Sequence, residues 1–171
     1  MSWTIREPRP DEAAEMLRYA RGVFADASWF TLTELEEFTM TVDDERAFIE
    51  GVDRERGDQA WVAVDGARIV GMLTARVGRR RKIAHRLELG MSVDAGWRRQ
   101  GIGRALLERC VETARAHPRV ETVALEVFAD NHGAIALYTS CGFVREGYRQ
   151  RYARRVDGSW ADDIPMVLQL T

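Results

Sequence analysis

Two strand-patterned runs enclose one helix-patterned run between residues 85 and 128, and this arrangement limits the fold more than anything else in the chain. HRLELGMSV (85–93) alternates, with Leu87, Leu89, Met91 and Val93 on one side and Glu88, Gly90 and Ser92 on the other. GIGRALLERCVETARAHP then carries Ile102, Leu106, Cys110 and Ala114 at helical spacing and stops at Pro118. VETVALEVF (120–128) returns to strand. A strand, a helix and a second strand in this order close as a parallel βαβ crossover of right hand.

The flanking segments predict antiparallel pairing around that unit. QAWVAVDGARIVGMLTARV reads as a hairpin turning at Asp65-Gly66. FVREGYRQRYARRV and DIPMVLQL read as the last two strands, joined at Asp157-Gly158. WTIRE (3–7) is a short first strand. DEAAEMLRYARGVF is a helix, and TVDDERAFIEGVDRER is predicted helical to about Arg56, with Thr41 and Asp43–Asp44 as cap candidates. ADNHGAIALYTSCG is a shorter helix capped by Asp130 or Asn131 and ended near Gly142. The expected fold class is α/β: a mixed, mostly antiparallel sheet with a central parallel βαβ crossover and helices on both faces. Its 171 residues suit a single domain over 1–171. Gly90 inside a strand predicts a bulge or a close backbone approach.

RRQGIG (98–103) stands just before the central helix. Main-chain N–H groups at a helix start lack intrahelical partners, and the helix dipole favours an anion there. Glycines let a ligand approach the backbone, and Arg98, Arg99 and Arg104 add positive charge that can meet a phosphate. The nucleotide P-loop string GxxxxGK[ST] is absent, and Leu106 occupies the third glycine position of the dinucleotide fingerprint. The seven residues from Asp94 to Gln100 separate strand from glycines, so strand end and helix start can hold different parts of one long ligand.

LELGMSVDAGWRRQGIGRALL, followed about thirty residues later by NHGAIALYTSCGF, resembles the GCN5-related N-acetyltransferases (GNATs). Arg98 to Gly103 match that family's [RQ]xxGx[GA] element. Asn131, Leu137-Tyr138 and Gly142-Phe143 match its second element. The resemblance implies an acetyl-CoA-dependent N-acetyltransferase that passes an acetyl group to a primary amine of a small molecule or peptide by direct attack in a ternary complex. It implies that N–H groups of Arg99, Gln100, Gly101, Ile102, Gly103 and Arg104, with Arg98 beside them, bind the pyrophosphate of acetyl-CoA. Met91, Ser92 and Val93 would pair with the pantetheine arm where the two parallel strands splay. Asn131 would contact the same arm, or only cap its helix. Tyr138 would return a proton to the leaving thiolate, or only pack. Glu88, five residues before Val93, would be the base; it reads equally as an exposed strand acid. Trp29, Phe30 and Glu34, in the segment after the first helix, are candidate acceptor contacts, with ordinary core packing as their alternative. A CoA-binding sensor on the same fold, without turnover, is the alternative function.

The charge is unevenly spread. Residues 1–60 hold 7 basic and 15 acidic side chains, and residues 61–171 hold 18 and 12. The net charge of −2 gives no global pull toward nucleic acid or membrane, and neither is expected as a partner. GRRRK (78–82) lacks interleaved aromatics and reads as a solvated loop rather than a nucleic-acid contact. Cys110 and Cys141 form no CxxC and no metal-ligand spacing, so neither disulfide nor metal is expected, and a reduced, cytoplasmic setting fits. Proteins resembling this one are often homodimers.

Overall fold

The computed structural model describes residues 2–26 and 28–170. Eight strands form one sheet in the order β1-β2-β3-β4-β5-β8-β6, with β7 on the outer side of β8. They are β1 (Thr4–Arg6), β2 (Gln59–Asp65), β3 (Arg68–Val77), β4 (Arg86–Val93), β5 (Thr122–Phe128), β6 (Val144–Arg145), β7 (Arg149–Arg154) and β8 (Trp160–Gln169). Among the described residues only β4 and β5 pair in parallel; every other pairing is antiparallel. The helices are α1 (Ala13–Asp26), α2 (Val42–Glu50), α3 (Ile102–Ala116) and α4 (His132–Ser140).

Strand alternation sorts the core into two layers. Val62, Val64 and Ile69 face Ala13, Met16 and Tyr19 of α1 and Ile49 of α2. Ala63, Leu73, Ala75, Leu87 and Leu89 face the other way, onto Ile102, Leu106, Leu107, Cys110 and Ala114 of α3. Ile135 and Tyr138 of α4 join this second layer with Val123, Leu125 and Val127 of β5. Leu106 and Leu107 are fully buried, and truncating either to Ala costs about 2–5 kcal/mol.

Three expectations need correction. The helix predicted to Arg56 ends at Glu50. After Gly51 the Asp53 carboxylate accepts from the Arg56 N–H at 3.1 Å, and the main chain turns through Gly57 at φ +106°. The run after Phe143 is two strands rather than one: the Glu146 N–H still donates to the Pro165 carbonyl at 2.8 Å, but Pro165 has no N–H to return, and the ladder stops there before β7; β8 starts already at Trp160. Gly90 forms no bulge. The β3–β4 register runs unbroken from Gly71↔Val93 to Val77↔Leu87, and the sheet's irregularity in this hairpin region lies between Ala63 and Val64. A side chain at Gly90 would meet open space, so the glycine clears room rather than bending the strand.

Candidate active site

The parallel pair is short. It joins Arg86↔Thr122, Leu87↔Val123 and Glu88↔Ala124, and no further partners follow. Yet β4 stays bonded to β3 as far as Val93, and β5 to β8 as far as Phe128. The two strands therefore splay into a gap within the sheet. Backbone direction shows what lines it. The Arg86 carbonyl accepts from Gly78 and the Asp94 N–H donates to Val70, so even-numbered residues of β4 bond toward β3. The N–H and C=O groups of Leu89, Met91 and Val93 point the opposite way, into the gap. On β5 the Thr122 N–H donates to His85, and the Glu121 carbonyl, one residue earlier, accepts from Leu170 across on the β8 side. Glu126 thus also turns its main chain toward the gap.

At the open end of β4 the Asp94 carboxylate accepts from Gly96 at 2.9 Å and starts the turn that leads to α3. From Arg99 to Arg104, six consecutive main-chain N–H groups donate to no protein acceptor among the described residues; the first amide used again is Ala105, which donates to Gly101 at 3.0 Å. Gly101 sits at φ +84°, open to a side chain's volume but not to its backbone preference. Arg99 holds φ +64°, one of two non-glycine residues in that region among the described residues, and such strain concentrates where a loop is shaped for a ligand. Gly103 has a further role that sequence spacing did not reveal. A Cβ there would lie 3.3 Å from Leu137, 3.7 Å from Met91 and 3.8 Å from Val93, so the glycine lets α3, α4 and the end of β4 meet.

The charged side chains of the loop are partly committed. Arg98 donates from Nε to the Val93 carbonyl at 3.2 Å, which ties the loop to the strand. Gln100 reaches back to Gly96 at 3.5 Å. Arg104 crosses to the end of α4, donating to Ser140 at 2.8 Å. Arg99 is exposed. Ile102 is core, so only its N–H serves the loop surface.

Asn131 caps α4, its Oδ1 accepting from Ala134 at 3.3 Å. Its amide nitrogen has no partner among the described residues. Tyr138 is buried against Phe143, with ring centroids 6.0 Å apart. Burial pushes its phenol up to about 12, and the hydroxyl bonds to no described residue. Ser92 turns to the α1 face, 3.0 Å from the Tyr19 hydroxyl, while Met91 and Val93 pack toward α3. Ser92 and Met91 thus contribute to the gap from opposite faces of one strand.

Glu88 lies on the α1 face, mostly exposed, with only a loose 3.6 Å contact to Arg86. It lines two adjoining clefts. One, of about 310 Å³, is bounded by Thr74, Arg76, Gly78, Ile83, Glu88 and Gly90. The other, of about 270 Å³, runs over the splayed strands between Glu88, Leu89, Ala124, Glu126 and Pro165. Glu126 is the residue that sequence reasoning missed. Flanked by Leu125 and Val127, it shows the same alternation that singled out Glu88. Its carboxylate takes Arg149 at 2.5 Å and the Tyr152 hydroxyl at 3.1 Å. Arg149 also holds the buried Asp163 at 2.5 Å.

Trp29 and Phe30 are about half exposed, so neither is core. Trp29 is nonetheless engaged: its indole N–H bonds Asp130, and Arg155 covers its ring at 4.0 Å. Glu34 opens a single turn in which Glu37 accepts its N–H at 3.0 Å. Among the described residues no His, Cys, Asp and Glu cluster fit to hold a metal ion is present, and no helix is long and apolar enough to cross a membrane.

A family model described as Acetyltransferase (GNAT) family matches residues 24–143. The chain belongs to the GNAT family. This member is 36% identical over 110 residues to the L-amino acid N-acetyltransferase AaaT of Escherichia coli, covering 64% of this chain and 67% of that one. It is 42% identical over 81 residues to the ribosomal protein bS18-alanine N-acetyltransferase of Escherichia coli, covering 47% and 53%. The chain thus spans between about half and two thirds of the length of these relatives. In fold it is similar to a GNAT acetyltransferase from Streptococcus pneumoniae, with TM-score 0.93 at 24% identity over 99% of this chain and 100% of that one. It is also similar to the phosphinothricin acetyltransferase of Sinorhizobium meliloti solved in complex with acetyl-CoA, with TM-score 0.82 at 20% identity over 99% and 89%.

Proposed function

We propose that this GNAT protein is an acetyl-CoA-dependent N-acetyltransferase that transfers the acetyl group directly to a primary amine of a small molecule or peptide. The observation that carries this reading is the run of six unengaged N–H groups, Arg99 to Arg104, at the positive end of α3 and beside the split between β4 and β5. A diphosphate fits those amides, and an extended amide-bearing arm fits the main chain facing the gap beyond the last parallel pair, namely the Leu89 carbonyl, both groups of Met91 and the Val93 N–H, the Val93 carbonyl being held by Arg98.

Bound acetyl-CoA supplies an activated thioester carbonyl. Glu88, at the junction of the two clefts, takes the proton of an incoming ammonium, directly or through water; an alkyl amine near pKa ~10 is otherwise mostly charged at neutral pH. General-base help of this kind gives ~10²–10⁴-fold. The N–H groups of Met91 and Val93 stand where charge develops on the carbonyl oxygen. As the C–N bond forms and the C–S bond breaks, Tyr138 gives its proton to the sulfur, and the second proton lost by the attacking nitrogen restores the phenol; a phenol held protonated by burial suits that step. Asn131 keeps its Oδ1 on α4 and offers Nδ2 to the arm. Holding both substrates together supplies the larger share, about 7–11 kcal/mol. The two relatives named above act on amino acids and on a ribosomal protein, which supports an amine acceptor of either size. Two free cysteines support a reducing, cytoplasmic setting.

The test pairs thermal stabilisation by CoA with thiol release from acetyl-CoA across a panel of amines. Stabilisation with amine-dependent thiol release is expected. Stabilisation without release from any amine would leave a CoA-binding module, and no stabilisation would overturn both.

A further inference from the structure

We infer that the β3–β4 loop, Arg79 to Lys82, docks an acidic polypeptide, so that the acceptor is a peptide N-terminus followed by Asp or Glu residues. This rests on the transferase reading above.

The interior of the cleft argues against a free amino acid. The arginines that line it already hold acids: Arg76 with Asp58 at 3.5 Å and Arg86 with Glu146 at 2.7 Å; Arg149, outside the lining, is likewise spent on Asp163 and on the lining Glu126 at 2.5 Å. The least engaged charge there is Glu88, which is 73% exposed. An amine is welcome beside it. A carboxylate one carbon from that amine would find no uncommitted guanidinium and would face Glu88 itself. A peptide N-terminus carries a neutral amide at that position.

The rim is the reverse. Gly78 and Ile83 line the cleft, and the loop between them folds back tightly, with the Ile83 N–H on the Arg80 carbonyl at 3.0 Å. A Cβ on Gly78 would clash with the Ile83 carbonyl, so only glycine allows the fold-back. Arg79, Arg80, Arg81 and Lys82 are therefore carried at the cleft mouth. All four are exposed, and none makes an ion pair or side-chain hydrogen bond among the described residues. Four like charges in one loop repel each other and are relieved by an anionic partner. A cleft of about 310 Å³ holds the start of a chain and leaves the following residues at this rim. A nucleic acid would also meet the charge, but the loop offers no aromatic face for a base.

The experiment uses the full chain and three peptides that share an N-terminal Ala and differ at the next three positions: acidic, neutral or basic. Peptide kcat/KM is read at low and high salt, and binding of the fluorescently labelled peptides to the CoA-loaded protein is read without turnover. The acidic peptide is expected to lead the neutral one by at least about fivefold at low salt, with the lead fading at high salt. The quadruple variant R79E/R80E/R81E/K82E should invert the order while acetyl-CoA still stabilises it. Equal binding of the three peptides, or an order that the quadruple variant leaves unchanged, overturns the proposal. So does an oligonucleotide that binds through this loop while peptides do not. Thiol release with free amino acids but with no peptide sinks the docking inference and leaves the transferase standing. Absence of thiol release from every amine sinks the transferase instead, and peptide binding still judges the loop.

Discussion

Trp29 and Asp130, 101 residues apart in the chain, are joined by an indole N–H bond of 3.0 Å. Arg155 completes the join, stacking on Trp29 at 4.0 Å and giving both Asp130 oxygens a hydrogen bond at 2.8–2.9 Å. The segment after α1, the turn before α4 and the β7–β8 hairpin are thereby held together at one corner, beside the Asn131 cap. Trp29→Phe keeps the stacking and removes the bond. Its expected cost is about 1 kcal/mol in unfolding free energy. A rise in amine KM with little change in acetyl-CoA KM is also expected, checked by denaturant melts and steady-state kinetics.

Gly90 leaves open space over Glu88. Gly90→Val should keep or slightly raise Tm, because a β-branched residue suits a strand and restricts the unfolded chain. The same methyl groups fill the acceptor cleft, so amine kcat/KM should fall by about ten- to a hundredfold.

Arg104 occupies the first turn of α3. Arg104→Glu places an acid where the helix dipole favours one, worth roughly 0.3–1 kcal/mol, while it loses the Ser140 bond and sets two acids at i,i+4 with Glu108, so the apoprotein Tm should change little. The same charge opposes a diphosphate, so CoA affinity should drop at least about tenfold by calorimetry. Loss of both together would mean that the contact to Ser140 matters more than the dipole.

Tyr138→Phe retains the ring that packs on Phe143 and removes a hydroxyl that has no described partner and is not itself sealed from solvent. Tm should hold or rise slightly, while kcat falls by about 10²-fold with acetyl-CoA KM unchanged. Since burial raises this phenol to about 12, the wild-type rate should show no alkaline loss from Tyr138 below about pH 11. The proton is present below the raised value and leaves only as pH climbs through it.

Glu88→Gln removes an exposed carboxylate, so stability should stay within about 0.5 kcal/mol. The rate at neutral pH should fall by about 10²-fold and recover as pH rises toward the amine's own pKa, read from kcat/KM against pH.

Much of this site was legible in one dimension because its parts follow from periodicity. The alternation of 85–93, the stripe from Ile102 to Ala114 and the return at 120–128 led to the parallel crossover, and RRQGIG led to the free amides. Other parts depend on contacts that no window of sequence contains. Gly90 reads as a bulge until the register to β3 shows an unbroken ladder. Gly103 reads as ligand clearance until Leu137, Met91 and Val93 are seen around it. Glu126 stood in plain alternation, but its importance rests on β5 leaving β4 after Ala124, a divergence visible only in the strand pairing. Trp29 could be placed near an acceptor wall, whereas its tie to Asp130 needed the tertiary fold.

The parting of β4 from β5 has a consequence for solubility. Unpaired strand borders ordinarily recruit foreign strands and seed aggregates, and proteins blunt them with charges or cover. Here the bare border sits mid-sheet, between two strands that stay paired along their outer sides, so a foreign strand meets a narrow wedge rather than an open sheet edge. The fold keeps a reactive seam of main chain without presenting it to its neighbours.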